Sequence, residues 1–357
     1  MDRVRASYGR GMTRRAVVIG ATGQIGRATV GALARDGWAV TALSRGGGRD
    51  EGWPGEVRAV PADREDDVAL TTAIGDDCEV LVDVVAYGPA HARQLLARSD
   101  LVGSAVVVSS VSVYEDDKGR TFDTQTEPGG FPEYPVPLPE SQRTIRPDDT
   151  SYSTRKAGLE RELLAGGDRL PTTLLRAGAV HGPHGRTPRE LYFVKRNLDG
   201  RPRRVLAYGG GSRFHPASVH NIAELVRLAA ARPGTRVLNA VDPEAPTVVE
   251  IAAAIDAVMG VDAENILVDG PAPAPTVGDT PWSVPVPVVC DMAAAERELD
   301  YRPVVRYARS LPETVAWIES RLAGGRDWRE AYPRMAEVYG DLFDYAAEDA
   351  WLAGRPV

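Results

Sequence analysis

The chain has 357 residues, of which 43% are hydrophobic and 26% charged, and its formal net charge is −8. That is enough chain for one large α/β unit with an added lobe, or for two domains, and a core of that size needs no disulfides. The acidic balance argues against a nucleic-acid partner. The two cysteines, Cys78 and Cys290, lack metal-ligand spacing, so no metal site is expected and a reducing, cytoplasmic setting fits.

Residues 1–14 carry Arg3, Arg5, Arg10 and Arg14 with no long apolar run behind them. A flexible tail is expected there, not a secretory signal or a membrane span, and Met12 is a second candidate start. Short β-branched runs then alternate with helical patterns, the signature of a parallel sheet wrapped by helices. Strands are predicted at 16–19, 39–43, 57–60, 80–85, 105–109 and 172–176, with helices starting near Ile25, Arg64, Pro89 and Ser151. Several strands are almost wholly apolar (AVVI, VLVDVV), as expected where both sheet faces are covered. The regularity breaks at 115–150, an acidic stretch with six prolines and no clear period. Connections of that length are usually functional or unstructured. Beyond Arg176 the predicted elements are a loop at 178–188 and helices at 189–198, 221–231, 248–259 and 292–299. A proline-rich run at 271–287 and a helical end at 311–351 complete the reading.

The first strand runs into Gly20-Ala21-Thr22-Gly23-Gln24-Ile25-Gly26. A glycine turn between strand and helix lets backbone approach a pyrophosphate, and the helix then offers unpaired N–H groups and a positive dipole end. The same glycines would also serve a tight turn with no ligand, but strand, turn and helix in this order are the context a dinucleotide site requires. The second strand ends at Ser44-Arg45 with no acid to take the ribose 2′-hydroxyl, so NADP is favoured over NAD. Asp63 is placed to meet the adenine edge, although a helix N-cap would look the same. Ala86 is expected at the cofactor's edge.

Tyr152-Ser153-Thr154-Arg155-Lys156 puts a phenol and an ammonium one helical turn apart. A free tyrosine titrates near pH ~10, and a neighbouring Lys⁺ and an oxidised nicotinamide would lower that. Ser109-Ser110-Val111-Ser112-Val113-Tyr114 closes the strand at 105–109, where ligands of doubly wound sheets bind.

This set resembles the short-chain dehydrogenase/reductase superfamily, in its extended type with nucleotide-sugar epimerases and dehydratases. The similarity rests on G-x-x-G-x-x-G, on an S-S-x-x-V-Y run and on Y-x-x-x-K, and it extends over roughly residues 16–318. The resemblance implies Ser110 as the catalytic hydroxyl, with Ser109 and Ser112 as alternatives, Tyr152 as general acid/base, and Lys156 holding the ribose. Leu175-Arg176-Ala177-Gly178-Ala179-Val180-His181-Gly182-Pro183 is similar to the family's L-R-P-x-x-V-Y-G-P, which implies Ala179 and Val180 beside the nicotinamide. Val219-His220-Asn221-Ile222-Ala223 resembles V-x-D-x-A. His181, Ala177 and Asn221 depart from the family's Tyr, Pro and Asp, and together with Ser44-Arg45 they look more like a reductase-like branch. Some members of that branch have lost catalysis or bind RNA.

The expected fold is therefore α/β, a doubly wound (Rossmann) parallel sheet with a smaller, irregular C-terminal substrate lobe. Residues 15–180 are assigned to the dinucleotide domain, completed by about 213–245. Residues 181–212 and 246–325 are assigned to the substrate lobe, and 326–357 to a helical extension. Ser112, His181, His184 and Arg213 are candidate substrate contacts, Arg213 because related sugar-nucleotide enzymes keep an arginine near there. His181 and His184 flank glycine and proline, which does not suit metal binding. The first expectation for function is NADPH-dependent reduction of a ketone or aldehyde on a small molecule, or the reverse oxidation. The alternatives are a nucleotide-sugar epimerase or dehydratase with retained NAD, and a non-catalytic dinucleotide sensor or RNA-binding protein. A homodimer is compatible with the resemblance, and no membrane partner is expected.

Overall fold

The computed structural model describes residues 14–354, so the expected N-terminal tail, Arg14 apart, and the choice between Met1 and Met12 lie outside the described residues. Seven strands form one parallel sheet: β1 (Arg15–Ile19), β2 (Ala39–Ser44), β3 (Arg58–Pro61), β4 (Cys78–Asp83), β5 (Val102–Ser110), β6 (Thr172–Ala177) and, after three shorter strands, β10 (Arg236–Ala240). Their order is β10-β6-β5-β4-β1-β2-β3, and every pairing is parallel.

The strands' side chains alternate between two apolar layers because successive residues point to opposite faces. Val18, Val82, Val106, Leu175 and Leu238 pack under α1 (Gln24–Arg35) and α6 (Val219–Ala231). Val17, Ile19, Leu81, Val107 and Leu174 pack under α2 (Asp67–Ile74), α3 (Pro89–Leu96) and α4 (Tyr152–Ala165). Each fully buried Val or Leu contributes about 1.5–3 kcal/mol relative to exposure, so both layers hold the sheet and leave only its ends for chemistry.

The remaining elements were harder to read from sequence. β7 (Ala179–His181) pairs with β9 (Pro216–Ser218), and β8 (Arg203–Leu206) pairs with β11 (Glu264–Leu267). A third apolar cluster gathers α5 (Leu191–Leu198), α7 (Val248–Met259), α9 (Tyr307–Leu322) and the C-terminal helices α10 (Trp328–Ala331) and α11 (Pro333–Tyr339). α8 (Ala293–Leu299) joins the α1–α6 layer instead. Residues 115–150 hold only one short 3₁₀ turn, at Phe122–Thr124. They are fastened by bridges between Tyr114 and Thr144 and between Leu138 and Cys290, so the stretch is a folded strap. Among the described residues no helix is long and apolar enough to cross a membrane.

The last helix, α12 (Tyr345–Ala353), is tied down at its surface by Asp349 with Arg201 and Tyr345 with Asp199, and inside by a buried ion pair. Glu348 takes both oxygens, at 2.9 and 2.8 Å, to Arg196 of α5. Removing one member of such a pair leaves the other charge buried and costs about 3–5 kcal/mol. Glu348→Ala should lower unfolding free energy in urea by that amount; a loss under ~1 kcal/mol, the range of exposed pairs, would show that α12 is held by something else.

Candidate active site

All seven strands run in one direction, so their carboxyl ends line one edge of the sheet. After β3 the chain crosses back to β4 on the far side of β1, which opens a crevice between the ends of β1 and β4. The glycine turn fills the base of that crevice. Gly20 sits at φ 83°, and a Cβ there would lie 2.5 Å from Val85 Cγ1. A Cβ on Gly26 would collide with the Gly20 carbonyl oxygen, so α1 can meet β1 this closely only through glycine. Gly23 caps α1 with no side-chain hydrogen bond to the first turn, leaving its N–H groups available to an anion. Gln24 donates to the Gly182 carbonyl at 3.0 Å, and Ile25 packs into the α1–α6 core.

A cavity of about 340 Å³ adjoins this turn, lined by Gly20, Thr22, Gly23, Ser44, Arg45 and Asp63 among others. The structure thus brings together the residues expected at the adenosine end. Ser44 Oγ is buried and has no hydrogen-bond partner among the described residues. Asp63 Oδ1 accepts from the Glu65 N–H at 3.1 Å. The glycine turn, the uncapped helix and the orphaned hydroxyl fit a dinucleotide.

At the other end of the crevice, Ser110 is the last residue of β5, and its Oγ accepts from the Ser112 N–H at 3.1 Å. Ser109 points away: its Oγ donates to Glu160 at 2.6 Å, inside a buried cluster in which Glu160 also holds Arg176 at 2.7 Å. Ser112 Oγ is buried without a partner. Tyr152 is the first residue of α4, directly after the N-cap Ser151, which forms a reciprocal capping box with Thr154. Asp123 of the strap accepts from Ser151 at 2.5 Å and from Ser153 at 2.7 Å, bracketing Tyr152 on both sides.

The Tyr152 residue is 44% exposed. Crowding of the hydroxyl still raises its pKa, opposed by the hydrogen bond from Ser110 and reinforced by Tyr87. Tyr87 is a neighbour that no motif reveals; its ring centroid lies 5.6 Å from that of Tyr152, tilted by 57°. Its only signal in the sequence is its place directly after Ala86, where β4 has ended.

Lys156, one turn on, is 4% exposed. Its Nζ donates to the carbonyls of Ala86 at 2.6 Å and Val108 at 2.8 Å, and lies 5.7 Å from the centre of the Tyr152 ring. Burial lowers its pKa to about 8, with Asp83 and Glu160 opposing that shift and Arg64 adding to it. Ala86 therefore enters the site through its backbone oxygen. Ala179 and Val180 lie in β7, where the Ala179 N–H is engaged by the His215 carbonyl at 2.9 Å.

Ser112, beside Ser110, is the one substrate candidate at this end of β5; the other three have partners elsewhere. His181 is 1% exposed and shares a 2.7 Å hydrogen bond with buried Asp242, which also accepts from the Ser218 N–H and from Asn221. His184 stacks 4.2 Å from Trp317. Arg213 lines a separate cavity of about 620 Å³ with Glu244, Glu250, Arg306 and Arg309.

The lowered pKa of Lys156 has a measurable sign. Between about pH 8 and the ordinary lysine value of 10.5 the unfolded chain keeps a proton that the folded chain has released. Stability therefore rises with pH across that window, and below it the charged form costs its full desolvation. Wild type should gain stability relative to Lys156→Met as pH is raised from 8 to 10 in the dinucleotide-free protein; parallel curves would place the lysine's pKa at its ordinary value.

Residues 16–240 match the model of the NAD dependent epimerase/dehydratase family. No protein of curated function matches the sequence. Among solved structures, UDP-N-acetylglucosamine 4-epimerase from Methanobrevibacter ruminantium M1, in complex with UDP-N-acetylmuramic acid, superposes with a TM-score of 0.63 at 19% identity, covering 87% of this chain and 99% of its own. UDP-glucose 4-epimerase from Thermotoga maritima, with UDP-glucose, gives 0.63 at 19% identity over 86% and 99% of the two chains. The Bordetella bronchiseptica enzyme WbmH, in complex with NAD+, gives 0.65 at 16% identity over 88% and 100%. At such identities the likeness shows the shared fold, while the family match spans well over half of the sequence. The chain belongs to the NAD-dependent epimerase/dehydratase family, the extended short-chain dehydrogenase/reductase type, and is an enzyme of that type that uses a nicotinamide dinucleotide.

Proposed function

We propose that this enzyme works on a carbinol or carbonyl carbon of a small, sugar-like substrate, in the manner of an epimerase or dehydratase that takes a hydride and returns it within one turnover. The observation that carries this reading is the joint placement of Ser110, Tyr152 and Lys156 at the carboxyl ends of β4 and β5, beside a glycine turn that admits a dinucleotide. The family match and the sugar-nucleotide enzymes among the structural neighbours favour this chemistry over net NADPH-dependent reduction, the first expectation from sequence.

When bound, the nicotinamide dinucleotide supplies the hydride acceptor and donor. Gly20, Gly23 and Gly26 shape its pyrophosphate seat, and Asp63 meets the adenine edge. Ser110 orients the reacting oxygen by hydrogen bonding. Tyr152 exchanges a proton with that oxygen, because its hydroxyl already lies in reach of Ser110. Lys156, largely charged at neutral pH, stabilises the phenolate and has one N–H left for the ribose after its two carbonyl bonds. The segments at 181–212 and 246–325 form the substrate lobe.

The cofactor we propose is NADP(H). Ser44 presents an orphaned hydroxyl and Arg45 a guanidinium with no ion pair among the described residues, and no acid stands between them to compete for the ribose. This corner keeps net reduction of a ketone or aldehyde as the second reading, since NADPH is the usual donor for it.

Tyr152→Phe should cut turnover by about 10²–10⁴-fold, the usual worth of a positioned acid/base, while changing the dinucleotide dissociation constant less than about threefold. Retained turnover would remove Tyr152 from the chemistry. Stoichiometry separates the two reaction classes: a substrate converted with no net change in nicotinamide absorbance supports the internal cycle, and one NADPH consumed per product supports reduction.

A further inference from the structure

The adenosine cavity has a wall that does not come from the nucleotide-binding half of the chain. Arg186, in the loop between β7 and α5, lines it together with Ser44 and Arg45. We propose that Arg186 is the second cation of a two-sided clamp on the 2′-phosphate of the dinucleotide, and that it sets cofactor specificity together with Arg45. The proposal rests on the NADP(H) reading above and deepens it.

Three observations lead there. The loop is held against the glycine turn, where Gln24 donates to the Gly182 carbonyl at 3.0 Å and a Cβ on Gly185 would lie 3.0 Å from Gln24 Nε2, and it is fastened also by the tilted ring contact of His184 with Trp317 of α9. Arg186 is therefore presented at the cavity by an anchored segment. Next, the cavity's guanidinium groups are not equivalent. Arg64 is committed, to Asp83 at 2.6 Å and to Gln94 at 2.7 Å. Arg45 and Arg186 make no ion pair or side-chain hydrogen bond among the described residues, and both side chains are exposed to the cavity mouth. Finally, Ser44 Oγ, on the lining of the same cavity, is buried with no hydrogen-bond partner among the described residues, the mark of a polar atom whose partner is a ligand.

Charge decides which phosphate Arg186 serves. The pyrophosphate already has the uncapped N-terminus of α1. A phosphate monoester carries about −1.5 to −2 charges at neutral pH, and Asp63 and Glu65 on the same cavity rim repel it. One arginine leaves that charge uncompensated, and a second, from a different segment of the chain, neutralises it.

The test uses the full-length protein and three ligands, with affinities from calorimetry: 2′,5′-ADP and 5′-AMP, which lack a pyrophosphate, and ADP-ribose, which has one but no 2′-phosphate. Wild type should bind 2′,5′-ADP more tightly. Arg186→Ala should weaken 2′,5′-ADP by about tenfold or more, the worth of one charge-assisted hydrogen bond, with 5′-AMP and ADP-ribose within about twofold of wild type. Arg186→Lys should recover part of the loss. An unchanged affinity for 2′,5′-ADP, or an equal loss for ADP-ribose, overturns the role of Arg186 and leaves the NADP(H) reading standing. If wild type binds 2′,5′-ADP and 5′-AMP equally, the NADP(H) reading fails and the clamp fails with it.

Discussion

A buried ammonium organises the proposed active site. Lys156 lies 4% exposed beneath the ends of two central strands, where an unpaired charge would be costly, and the carbonyls of Ala86 and Val108 solvate it. Those two oxygens exist in that position only because β4 and β5 are parallel neighbours in register, Leu81 with Ala105 and Asp83 with Val107. The same bonds seat α4, and one turn back along α4 stands Tyr152. Glu160, one turn forward, fixes the helix again through Ser109 and Arg176. The position of the phenol thus follows from buried polar contacts made on either side of the Lys156 turn.

The strap at 115–150 adds a brace from outside the sheet. Its Asp123 grips Ser151 and Ser153, and its own shape comes from Asp116, which binds Arg120 at 2.7 Å and the Glu133 N–H at 2.9 Å. Phe122 meets Phe214 at 5.7 Å between ring centroids, joining the strap to the segment before β9. A long connection of low regularity thereby becomes part of the site's framework. Its hydrogen bonds reach partners as distant in sequence as Asp291, whose N–H donates to the Leu138 carbonyl at 2.8 Å, which periodicity does not reveal.

What could be read in the sequence was local. The glycine turn, the apolar strands and Tyr152-x-x-x-Lys156 each occupy one short segment, and the geometry they demand is met within that segment. The resemblance implies Ser110 over Ser109 through its match at Val113-Tyr114, and Ser109 is spent on Glu160. The unread part depended on distant partners. His181 looks like a pocket histidine beside Gly182 and Pro183, but Asp242, 61 residues away, draws it into the core. Tyr87 and Arg186 carry no motif, and their neighbours are supplied by α4 and by the Ser44–Arg45 corner. β10 closes the sheet as its seventh strand from a region whose sequence reads as irregular. Reaction class was beyond motif altogether, since reductases and epimerases share the same three side chains, and only the family match shifted the balance toward epimerase or dehydratase chemistry.

The central claim is a convergence in space, and a crystal structure of the full chain soaked with NADP+ tests it most directly. The account predicts the pyrophosphate over Gly20–Gly26, the ribose hydroxyls against Lys156, and the Tyr152 hydroxyl and Ser110 Oγ both within about 3–4 Å of one point above the nicotinamide ring. A nicotinamide lodged away from Tyr152, or a dinucleotide excluded from the glycine turn, would contradict it.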